Sequence, residues 1–125
     1  MGAKLTIGFL GSGKMATALA KGVISAGWVK AAQIRASDPS PAARNAFAAE
    51  TGARASDSNL DVVQFAQVLV LAVKPVNVPA LLEEIRPAFA PGHLLISIAA
   101  GIPIAKIDIV NNGSNCRRQM FELKI

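Results

Sequence analysis

The sequence holds one cysteine, Cys116, one histidine, His93, one tryptophan and no tyrosine. A single thiol excludes an internal disulfide and a thiolate metal cage, and it fits the reducing interior expected of a cytoplasmic protein. The thirteen basic residues are scattered from Lys4 to Lys124, and Arg117-Arg118 is the only adjacent pair. Without a basic stripe or an aromatic platform, the net charge of +5 does not mark a nucleic-acid surface. No apolar run reaches the roughly 18 residues that a membrane span needs, and nothing at the N-terminus resembles a signal peptide. Met1-Gly2 with Thr6 fits an N-myristoylation pattern, but these residues lead straight into an apolar strand. Asn112-Gly113-Ser114 fits a glycosylation acceptor and reads as a polar turn. No set of metal ligands is expected.

What the chain does have is apolar residues, 52% against 17% charged, in 125 residues, enough for one packed core and too few for two. Short apolar runs alternate with helical patterns, the mark of βαβ units. Residues 5–10 form the first strand, and Met15, Ala16, Leu19, Ala20, Val23 and Ile24 follow at helical spacing up to Gly27. A strand at 33–37 leads to Ser40 as N-cap and Pro41 at the first helical position of a helix ending near Gly52. A brief strand at 53–55 and a helix capped by Ser58 come next. "VLVLAV", 68–73, and "LLISIA", 94–99, show no alternation and are expected to be buried on both faces. Between them Pro79 starts a helix that Pro87 and Pro91 end. The expected fold is α/β, a single doubly wound, mostly parallel sheet of five strands with about four helices, over residues 1–107. Residues 108–125 have no clean period and read as a poorly ordered tail.

The segment "IGFLGSGKMATALAKGV" admits two readings. From Gly8 it runs G-x-x-x-x-G-K, but Met15 stands where a phosphate loop of nucleoside triphosphatases needs a hydroxyl for magnesium. Neither buried strand ends in the carboxylate that would complete such a site. From Gly11 it runs G-x-G-x-x-A, in which each position has a task. Gly11 permits the tight turn, Gly13 lets backbone approach a pyrophosphate, and Ala16 lets the helix pack close to its strand. The helix N-terminus offers N–H groups to the phosphates. Asp38 ends the second strand 25 residues after Gly13, where an acidic residue accepts from adenosine ribose hydroxyls; it also reads as an Asx turn before Pro39. Asp38 tips the choice of cofactor toward NAD, whereas Arg35 and Arg44 favour NADP, and both dinucleotides stay open.

Together, "IGFLGSGKMATALAKGV", "VLVLAVKP" and "LLISIAAGI" resemble the N-terminal half of pyrroline-5-carboxylate reductase, in order and spacing, from about Thr6 to Ile107. The resemblance implies a Rossmann-like domain. It implies that Gly11, Ser12, Gly13, Lys14 and Met15 hold the dinucleotide phosphates, that Ala72, Val73, Lys74 and Pro75 border the ribose and nicotinamide, and that Asn59 lies near the adenosine. The family reaction is hydride transfer from NADH or NADPH to the C=N carbon of 1-pyrroline-5-carboxylate, giving L-proline. An iminium carbon is already electrophilic, so orientation and exclusion of water are the protein's main tasks and no catalytic side chain is assigned here. His93 reads as a loop residue.

Past Ile107 the resemblance ends. The family continues into an M-P-N-T-P segment and a helical domain that binds substrate and forms the dimer, and neither pattern occurs in the last eighteen residues. The expectation is a cofactor domain inactive alone, with an imine substrate only where a C-terminal domain is supplied and with apolar surface left open on the last strand. The alternative is a non-catalytic module that senses a dinucleotide.

Overall fold

The structure, a computed structural model, describes residues 5–90, 92–98 and the backbone of 120–122. Met1-Gly2, residues 99–101, Cys116, Arg117-Arg118, the 112–114 acceptor pattern and the rest of the expected tail lie outside the described residues. Six strands, β1 (Ile7–Leu10), β2 (Ile34–Ser37), β3 (Arg54–Ser56), β4 (Val68–Leu71), β5 (Leu94–Ser97) and β6 (Met120–Glu122), form one sheet in the order β3-β2-β1-β4-β5-β6. All five pairings are parallel.

The helices are α1 (Lys14–Ser25), α2 (Pro41–Thr51), α3 (Asn59–Phe65) and α4 (Val78–Ile85). Two start as expected: Ser40 Oγ accepts from Ala43 N at 3.2 Å and Ser58 Oγ accepts from Asp61 N at 3.1 Å, each satisfying a first-turn amide. Ala16 and Ala20 of α1 and Phe47 of α2 pack with Ile7, Phe9, Ile34, Ala36 and Val70 on one face of the sheet. On the other face, Val62 and Val63 of α3 and Leu81, Leu82 and Ile85 of α4 meet Leu10, Leu69, Leu71 and Leu95. Alternation along β1 and β4 thus feeds both cores, and the fold is the doubly wound, Rossmann-like α/β sheet expected from the sequence.

Two strand expectations need correction. The sequence predicts five strands, and β6 is a sixth, paired with β5 from Leu95↔Met120 to Ser97↔Glu122. Three residues are too few to show a period, so nothing local could announce it. β5 is not buried on both faces either: Leu95 and Ser97 are buried, while Leu94 and Ile96 are half-buried. Its mostly apolar run conceals that, among the described residues, α1 and α2 lie over β1 and β2 and leave Leu94 and Ile96 on the same face half-exposed. The result is an apolar trough of about 320 Å³, lined by Leu19, Val23, Trp28, Val68, Leu94 and Ile96 among others.

Candidate functional site at the carboxyl edge of the sheet

After β1 the chain turns onto the face carrying α1, and after β4 it turns onto the face carrying α4. The carboxyl ends of β1 and β4 therefore flank the crevice where the winding reverses, the usual ligand position in an open parallel sheet. Gly11 opens this turn with φ +109°, a conformation that L residues rarely adopt. A Cβ there would stand 2.8 Å from both the carbonyl carbon and oxygen of Ala72. Gly11 N donates to Ser37 O, and Ala72 N donates to Leu10 O, both at 2.8 Å. The glycine loop is thereby seated on the ends of β2 and β4 at once.

Gly13 is the N-cap of α1, without a side-chain cap, and no acidic residue occupies the first turn. Thr17 sends both its N–H and its hydroxyl to Gly13 O, each at 2.9 Å, which fixes the loop's exit. The Ser12 side chain is buried, and its Oγ has no hydrogen-bond partner among the described residues. A buried hydroxyl without a partner beside an uncapped helix N-terminus fits a group that brings acceptor oxygens. Lys14 and Met15 are exposed on the first turn of α1, and Ser12, Gly13, Lys14, Thr17, Lys21 and Glu50 line a cavity of about 470 Å³ between α1 and α2.

Asp38 follows β2 and meets the loop directly. Its Oδ2 accepts from Ser12 N and its Oδ1 from Ser40 N, both at 2.9 Å. The second contact is the Asx turn expected before Pro39; the first links Asp38 to the glycine loop, which the sequence did not announce. Asn59 stands at the start of α3, where its Oδ1 accepts from Ser37 Oγ at 2.6 Å and its Nδ2 donates to Glu84 Oε1 at 3.0 Å. Ala72 and Val73 are half-buried after β4, and Lys74 and Pro75 are exposed at the start of a 3-10 turn, Pro75–Asn77. All eleven candidate residues thus lie at the carboxyl edge of the sheet, around the β1, β2, β3 and β4 exits.

Three other residues sort themselves by position. Arg35 is turned away from the loop, 3.2 Å from Asp61 Oδ2 and 4.3 Å over the Phe65 ring, so only Arg44 remains near Asp38. Arg44 Nη1 donates to Asp38 O at 2.8 Å and Pro39 O at 3.2 Å. His93 lies at the opposite, amino edge, just before β5, where Nδ1 accepts from Ala90 N at 2.7 Å and Nε2 lies 2.9 Å from Val63 O. With Nδ1 accepting, Nε2 carries the proton and donates. Gly8, the first glycine of the phosphate-loop reading, is in mid-strand; a Cβ there would come within 2.5 Å of Val62 Cγ1 and 2.8 Å of Ala66 Cβ. It is there so that α3 can lie close to β1.

A glycine loop entering a helix at the reversal point of a 3-2-1-4-5-6 parallel sheet defines the Rossmann-like class of dinucleotide-binding domains. Residues 6–101 match the family described as NADP oxidoreductase, coenzyme F420-dependent, and the chain belongs to that family. Among curated proteins it is 44% identical over 102 residues to the pyrroline-5-carboxylate reductase of Pseudomonas aeruginosa, covering 82% of this chain and 37% of that protein. Bovine pyrroline-5-carboxylate reductase 3 is 39% identical over the same length, with 33% of it covered. A solved pyrroline-5-carboxylate reductase from Coxiella burnetii superposes with a TM-score of 0.83 at 27% identity, over 93% of this chain and 43% of that one. The Plasmodium falciparum pyrroline carboxylate reductase, solved with NADP bound, gives 0.76 at 30% identity over 94% and 42%. The chain therefore spans between 33% and 43% of the length of these relatives.

Proposed function

We propose that this chain binds NADP(H) or NAD(H) across the carboxyl edge of its sheet, as the cofactor domain of a reductase acting on 1-pyrroline-5-carboxylate. In this reading the N–H groups of residues 13–15 and the Ser12 hydroxyl hold the pyrophosphate, supported by the dipole of α1. Asp38 and Asn59 face the adenosine, and Ala72 to Pro75 border the nicotinamide. When bound, the reduced nicotinamide supplies the hydride for a C=N carbon. The chain's own residues orient that ring and shield one of its faces. The chain spans less than half of its relatives' length, and turnover is expected where the remaining portion of such a relative is supplied; we infer a cytoplasmic setting.

The observation that carries the reading is the loop itself: a left-handed Gly11 against Ala72, an unpartnered buried Ser12 hydroxyl and an uncapped α1 N-terminus, all at one point. The test is a thermal-shift titration with NADPH and NADH, on the parent and on Gly13→Trp. A Cβ at Gly13 meets nothing within 4 Å, so a side chain there starts into open space at the loop, where an indole is expected to obstruct the phosphates. At a hundredfold excess over Kd a ligand adds about 2.7 kcal/mol to stability, which is several degrees. A shift in the parent alone supports the reading, and no shift with either dinucleotide overturns it. Adding the C-terminal portion of a longer relative in trans then separates a reductase domain, which gains turnover, from a sensing module, which does not.

A further inference from the structure

Asp38 at the end of β2 is the residue from which a choice between NAD and NADP is ordinarily read. Its surroundings suggest another task. The Asp38 backbone is held by neighbouring protein groups: its N–H donates to Ser56 O of β3 at 3.0 Å, and its carbonyl accepts from Arg44 of α2 at 2.8 Å. The carboxylate thus projects from a position held by two neighbouring elements. One oxygen takes Ser40 N–H and completes the turn into α2; the other takes Ser12 N–H, the amide between the two loop glycines. Ser12 is the one residue between Gly11 and Gly13 and has no hydroxyl partner to restrain it. Glycine on both sides leaves that peptide the greatest conformational freedom in the loop, and the Asp38 contact is what removes it.

We propose that Asp38 is a positioning residue: its carboxylate latches the Ser12 amide to the β2–α2 turn and presets the glycine loop for pyrophosphate. The proposal rests on the dinucleotide reading for its consequence, while the latch itself consists of protein groups only. A charge-assisted hydrogen bond in a part-buried setting is strong enough that losing it weakens any ligand relying on the ordered loop by about tenfold or more. That loss is common to both dinucleotides, because the pyrophosphate is common to both. A residue that only selected at the ribose would act in opposite directions on the two, since removing its charge would relieve repulsion of a 2′-phosphate.

The test compares the parent with Asp38→Ser and Asp38→Asn. Asparagine keeps the shape but can accept from only one of the two amides through its single carbonyl oxygen, which guards against a serine variant that fails to fold. Two quantities are read: hydrogen exchange of the Ser12 amide by NMR without ligand, and affinities for NADH and NADPH by calorimetry. The expected result is faster Ser12 exchange and a parallel fall in both affinities in Asp38→Ser, with their ratio little changed, and in Asp38→Asn faster exchange of whichever amide, Ser12 or Ser40, loses its oxygen, with affinity falling where Ser12 is released. Unchanged Ser12 exchange in folded Asp38→Ser overturns the latch, as does unchanged exchange of both amides in Asp38→Asn or a gain in NADPH affinity in Asp38→Ser. If the parent binds neither dinucleotide, the reading of function fails separately, and Ser12 exchange alone still decides the latch.

Discussion

Gly11→Ala and Gly13→Ala are the same change two residues apart, and the structure predicts different costs for each. At Gly11 the added methyl lies 2.8 Å from the carbon and oxygen of the Ala72 carbonyl, where carbon contacts relax at about 3.5–4 Å. Roughly 0.7 Å of separation is required, yet β1 and β4 are tied at this level by Ala72 N to Leu10 O at 2.8 Å. Overpacking of this kind costs about 1–3 kcal/mol. A non-glycine residue held at positive φ costs on the order of 1–3 kcal/mol more. The combined ~2–6 kcal/mol is a large part of the ~5–15 kcal/mol that holds a domain folded, and it lowers Tm by on the order of 10–20 °C in a chain of this size. Gly13 has an ordinary φ of −78° and open space around the added carbon, so Gly13→Ala changes stability by about 1 kcal/mol or less, mainly through its N-cap position. Its effect falls on dinucleotide affinity, because the methyl occupies the path of the phosphates. Urea denaturation followed by circular dichroism, with NADPH titration of whichever variants fold, measures both quantities. Equal destabilisation by the two substitutions would refute the steric account of Gly11, and an unaltered affinity in Gly13→Ala would refute the assignment of the loop.

Gly8→Ala is expected to cost about 1–3 kcal/mol by pushing α3 off β1, with dinucleotide affinity unchanged in the folded fraction; a neutral stability effect in urea denaturation would show that α3 yields easily. The open trough beside α1 predicts that the native chain binds an apolar fluorescent dye and tends to aggregate. Leu94→Lys with Ile96→Lys should reduce both, and dye fluorescence insensitive to this pair would place the exposed surface elsewhere.

The sequence by itself determined the order of strands and helices, the two serine caps and the dinucleotide reading of the loop. These rest on local chemistry: alternation and periodicity, a hydroxyl three residues before an amide, and glycine where chirality forbids other residues. It also brought the candidate residues into view, because each stands at the carboxyl end of a strand, and in a parallel sheet those ends share one edge. What only the tertiary structure decided were the relations between segments distant in the chain. Arg35 and Arg44 look equally placed in the sequence, but the alternation of β2 sends Arg35 to α3 and Asp61, while α2 brings Arg44 back to Asp38. Gly8 and Gly11 are both glycines of one short segment, and only the packing separates them, α3 against the first and Ala72 against the second. "LLISIA" is apolar but for Ser97 whether or not a helix covers both its faces, so the open trough could not be read from it. β6 exists through its pairing with β5 rather than through any preference of its three residues. The contact between Asp38 and Ser12 spans 26 positions and depends on β1 and β2 lying side by side in register, which the fold decides and no local pattern records.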